Sequence, residues 1–66
     1  MQVKLLKMSD PLVSGSTYIF RFGSKKYGGI HKPGKGNEIQ YPTFSVNGQL
    51  FSVDRQHVSA EVVGNG

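Results

Sequence analysis

The residues with most chemistry to offer lie between Gly23 and Glu38, which reads Gly-Ser-Lys-Lys-Tyr-Gly-Gly-Ile-His-Lys-Pro-Gly-Lys-Gly-Asn-Glu. These sixteen residues hold four lysines and five glycines, and Glu38 is their one acid. Lys25, Lys26, Lys32 and Lys35 carry the charge to contact phosphates, and the glycines let backbone N–H groups approach an anion closely. Tyr27 and His31 have flat rings that can stack on unpaired bases. Arg21 and Lys4 extend the patch if their strands are adjacent. The plainer reading of the same residues is a solvated loop whose charges discourage edge pairing.

Other chemistries lack their residues. Gly29-Ile30-His31-Lys32-Pro33-Gly34-Lys35-Gly36 nearly matches the phosphate-binding loop of nucleotide triphosphatases, but Gly36 stands where a magnesium-binding hydroxyl is needed. The residues after it favour a strand over the required helix. Asp54 and His57 fall together without a nucleophile motif, and the four carboxylates are scattered singly. There is no cysteine, so disulfides and cysteine-based zinc sites are excluded, and two histidines without ligand spacing do not predict a metal site. No enzyme activity, cofactor or small-molecule substrate is expected.

The elements that must position the basic segment are short and β-like. Thr17 to Phe22 alternates Tyr18, Phe20 and Phe22 with Thr17, Ile19 and Arg21, the period of a pleated strand. Asn47-Gly48 fits the positive φ angles of a type I′ turn. A two-residue loop there sets Val46 against Gln49, Phe44 against Phe51 and Pro42 against Val53. One face then carries Phe44, Val46, Phe51 and Val53, with Thr43, Ser45 and Ser52 on the other. Val3 to Met8 suits a first strand with apolar residues on both faces, so that its outer face is covered or docks a partner. Asp10-Pro11 ends it, and Ser14-Gly15-Ser16 makes a turn. Residues 54–58 read as one short helical or 3₁₀ turn with Asp54 placed to cap it, and Ala60 to Val63 makes a final strand.

Sixty-six residues make one domain, near the lower size limit for a core without disulfides or metal. The expectation is an all-β domain over residues 1–63, a small five-stranded barrel, with 23–38 as a projecting basic arm or loop and 64–66 as a tail. The stretch Phe51-Ser52-Val53-Asp54-Arg55-Gln56-His57-Val58 through Val63 resembles the end of an SH3-like barrel, where a strand leads to one 3₁₀ turn and a short closing strand. That resemblance implies the scaffold alone. The family's Ala-Leu-Tyr-Asp-Tyr-like segment, acidic first loop and paired tryptophans, which carry proline-rich peptide binding, are missing from this chain. An OB-like barrel is the alternative architecture.

The formal net charge of +4 favours partners that carry negative charge. The function expected from the basic segment is a non-catalytic module that binds nucleic acid, DNA or RNA, through Lys25, Lys26, Tyr27, His31, Lys32, Lys35 and Arg21. The alternative is a structural or adaptor protein that docks on a larger protein assembly, such as a phage particle or a host enzyme bound by a phage factor. No apolar run approaches the ~20 residues needed to span a bilayer, so no membrane partner is expected. The expected location is the cytoplasm, or host cytoplasm or virion if the chain is phage-encoded. Nothing in the sequence sets the oligomeric state.

Overall fold

The computed structural model describes residues 2–34 and 38–64. Among them, six strands form one antiparallel sheet: β1 (Gln2–Leu5), β2 (Thr17–Phe22), β3 (Lys25–His31), β4 (Thr43–Val46), β5 (Gln49–Ser52) and β6 (Val58–Gly64). Their order across the sheet is β1-β6-β2-β3-β4-β5. A 3₁₀ turn over Arg55–His57 separates the last two strands. The described residues include no helix long and apolar enough to cross a membrane.

The all-β expectation holds, but the described residues form six strands where five are expected. The additional one is β3, formed by the first half of the segment read as an arm or loop. Gly23 and Ser24 make a two-residue hairpin between Phe22 and Lys25, and β3 then pairs with β2 from Phe22↔Lys25 to Thr17↔Ile30. Gly23 has φ +68°. Ser24 is not among the non-glycine residues with positive φ, which makes this a type II′ turn. The segment's glycines do not release it from the sheet. Gly29 is buried, and a Cβ built on it would lie 2.9 Å from Val46 Cγ2 and 3.0 Å from Phe20 Cε1. Neighbouring side chains occupy the space that a side chain at 29 would take.

The Asn-Gly hairpin forms in the expected register, with Phe44↔Phe51 and Val46↔Gln49. Asn47 has φ +51° and Gly48 φ +84°, as a type I′ turn requires. Pro42 is buried, and its carbonyl accepts the N–H of Val53 at 2.9 Å. The first strand is shorter than expected and stops at Leu5. After it, only the Leu6 N–H continues the ladder, donating to Ser59 O, before the chain turns through Lys7–Asp10.

Tyr18, Phe20, Phe44, Val53 and Val58 form the buried core, ringed by Leu6, Leu12, Tyr27, Val46 and Phe51. The Phe20 and Phe44 rings stack at 4.7 Å between centroids, although β3 lies between their strands. Flat strands two places apart would stand about 10 Å from each other. The sheet therefore coils over its own inner face. Among the described residues its edge strands β1 and β5 do not pair, so the ladder does not run round a closed ring.

Side-chain ties close the open part of this coil. Arg55, only 7% exposed, donates through Nη2 to the carbonyl oxygens of Lys7 (2.9 Å) and Asp10 (2.8 Å). The turn it holds is also braced by the Lys7 N–H donating to Asp10 Oδ2 at 2.9 Å. Asp54 caps the 3₁₀ turn as expected, its Oδ1 accepting the Gln56 N–H at 3.1 Å.

Candidate binding surface

The β2–β3 hairpin gathers part of the expected basic site and separates the rest. Arg21 stands directly opposite Lys26, and Phe22 opposite Lys25. Alternation places Arg21 and Lys26 on the outer side of the sheet, since Phe20 between its neighbours points into the core. Lys25 follows the inward parity of Tyr27 but lies past the end of the core and is exposed. Cations thus occupy both sides of one hairpin tip. Among the described residues no carboxylate pairs with any of them; Glu38 meets the His31 ring instead.

Aromatic side chains stiffen this tip. Phe22 is 44% exposed and meets Phe51 edge-on at 5.0 Å. Tyr27 is half-buried, stacked on Phe20 at 5.8 Å and tilted against Phe51 at 5.2 Å. Much of the Tyr27 ring is thus occupied by the protein itself, while Phe22 leaves part of its ring to solvent. The signal that could have found the tip is Gly23-Ser24, a glycine-first pair flanked by Thr17–Phe22 and Lys25–His31.

His31 does not belong to that surface. It is buried, with Nδ1 3.3 Å from the Val13 carbonyl oxygen and Nε2 2.9 Å from Glu38 Oε1. Its ring packs edge-on to Tyr18 at 6.1 Å and tilted to Phe44 at 5.6 Å. A ring held so is a wall of the core rather than a platform for bases. Lys32 is exposed but sits just beyond the other end of β3, six residues or about 20 Å along an extended chain from Lys26. Lys35 lies outside the described residues. Lys4 is on β1, separated from β2 by β6, and faces Glu61; Arg21 is adjacent to the β3 lysines and Lys4 is not.

A cleft of about 470 Å³ opens between the Met8–Leu12 loop and the Glu38–Ile39 turn, with His31 and Arg55 in its wall. Its Asp10, His31, Glu38 and Arg55 side chains are engaged in holding the chain. Besides His31, Glu38 accepts the Gly34 N–H at 3.1 Å and the Thr43 N–H at 3.4 Å. Arg55 spans the loop carbonyls described above. Sequence reasoning missed Arg55, because a single arginine in a capped turn gives no sign that it will be buried against backbone forty-five residues away.

Comparison with known proteins finds no match, neither a protein-family profile nor a curated protein nor a solved structure.

Proposed function

We propose that this chain is a non-catalytic nucleic-acid-binding module that meets the phosphate backbone with the tip of its β2–β3 hairpin. The observation that carries this reading is the direct opposition of Arg21 and Lys26. Like charges directly opposite across an antiparallel pair destabilise the sheet. Here no carboxylate among the described residues relieves them, and Lys25 adds a third cation one pair further on. A bound polyanion supplies the missing counter-charge, and the exposed part of Phe22 offers apolar contact to a base or sugar. The scaffold proposed is SH3-like, on the support of the 3₁₀ turn between β5 and β6 and the antiparallel pairing of β6 with β1. A second reading, docking on a larger protein assembly, is favoured by the exposed aliphatic residues on the outer side of the sheet.

The test is fluorescence anisotropy of labelled single-stranded DNA, duplex DNA and RNA, titrated at several salt concentrations. Binding through the tip gives an affinity that falls with salt, at a slope of about 0.7 to 0.9 per phosphate neutralised. Absence of binding at low salt, or affinity indifferent to salt, overturns the reading.

A further inference from the structure

The outer side of the sheet carries a largely apolar face across four adjacent strands. Strand register sets Val3 beside Val62, Val62 beside Thr17, and Thr17 beside Ile30. The next row on the same side runs Leu5, Ala60, Ile19, Gly28. None of these residues belongs to the core cluster, which fills the opposite side. Leu5 is 80% exposed, Val3 45% and Ile30 43%, while Ile19 and Val62 are half-buried and Ala60, flanked by Leu5 and Ile19, is covered. Gly28 and Ala60 leave the middle of the second row low, and a Cβ at Gly28 would meet nothing within 4 Å.

Charge on this side has one sign. The row that follows Ile19 and Gly28 along the hairpin is Arg21 and Lys26. No outward position of β1, β6, β2 or β3 is acidic, since Glu61 shares the parity of Tyr18. A solvated face normally mixes charges of both signs and breaks up its aliphatic residues. The geometry points to a docking surface for a protein partner whose contacting segment is apolar and bordered by carboxylates. The aliphatic rows bury its side chains, and Arg21 and Lys26 meet its acids. This inference goes beyond the nucleic-acid reading and gives the second reading its surface.

The experiment uses the ¹⁵N- and methyl-labelled protein, followed by NMR, and three short designed peptides that alternate leucine with glutamate, leucine with lysine, and serine with glutamate. The leucine–glutamate peptide is expected to shift signals of Leu5, Ile19 and Ile30 and to bind in preference to the other two. Leu5→Ser with Ile30→Ser, both at exposed positions, weakens that binding by about tenfold or more, as loss of two aliphatic contacts implies. Should that variant fold poorly, Arg21→Glu with Lys26→Glu reverses the preference towards the leucine–lysine peptide. Equal binding of all three peptides, shifts confined to the Met8–Leu12 cleft, or no binding overturns the proposal. So does concentration-dependent self-association lost in Leu5→Ser with Ile30→Ser, which makes a second copy the occupant. Preferential binding to phosphatidylglycerol vesicles through the same residues assigns the face to lipid and also overturns it. Nucleic-acid affinity measured on Leu5→Ser with Ile30→Ser separates the two readings, because that variant retains the hairpin cations.

Discussion

His31 Nε2 and Glu38 Oε1 lie 2.9 Å apart and join the end of β3 to the turn that precedes β4. The carboxylate also accepts backbone N–H groups of Gly34 and Thr43, so one side chain anchors both approaches to the segment. Glu38→Ala removes all three contacts and leaves a buried imidazole nitrogen without its partner. The expected loss is about 1–3 kcal/mol, the cost of an unsatisfied buried polar group. Thermal unfolding followed by circular dichroism measures it, at roughly 4–8 °C per kcal/mol for a domain of this size. An unchanged midpoint would show that the pair holds nothing.

Arg55 ties the loop after β1 to the 3₁₀ turn without any carboxylate partner among the described residues. Arg55→Met keeps much of the buried stem but gives up both carbonyl contacts. Each hydrogen bond to a charged group contributes about 1.5–3 kcal/mol. The loss should fall mainly on the loop. Amide exchange is expected to quicken at Asp10, whose N–H donates to Lys7 O, before it quickens in β2. Uniform acceleration through the sheet would mean that Arg55 supports the whole fold rather than the loop.

Gly28 and Gly29 are neighbours in β3 with opposite surroundings. A methyl group at 29 would press on Val46, Phe20 and the Ser45 carbonyl, all within 3.1 Å, whereas at 28 it would meet nothing within 4 Å. Gly29→Ala is expected to cost about 1–3 kcal/mol through overpacking. Gly28→Ala should be neutral or stabilising by up to about 1 kcal/mol, since glycine weakens a strand interior. Urea unfolding midpoints of the two variants test the pair, and equal midpoints would contradict the close packing.

These two glycines also explain what was legible in the sequence. The Asn47-Gly48 hairpin, strand β2 and the Asp54 cap announce themselves because turn chemistry, side-chain alternation and packing agree there. In β3 the inward positions are Tyr27, Gly29 and His31, so the apolar alternation that marks a strand is absent. Phe20 and Val46 supply the volume at Gly29, and Glu38 and Val13 satisfy His31, so the reasons for the strand lie on other segments. A segment rich in lysine and glycine thus read as an arm. The cost of that reading fell on the site, because a strand fixes which of its lysines meet. Arg21, Lys25 and Lys26 do, while Lys32 is carried to the other end.

That separation gives the proposed nucleic-acid surface its sharpest test. Arg21→Ala, Lys25→Ala and Lys26→Ala remove exposed side chains from the hairpin tip and should leave the fold intact. Together they are expected to abolish most salt-dependent binding, each lowering the salt slope by about 0.7 to 0.9 if it neutralises one phosphate. Lys32→Ala carries the same change in net charge as any one of them, yet should leave affinity nearly unchanged because it lies beyond the far end of β3. Anisotropy titrations across a salt series measure both quantities. If Lys32→Ala matches the tip variants, affinity follows net charge alone and the hairpin is not the contact. If the tip variants bind as tightly as the parent, the nucleic-acid reading loses its site.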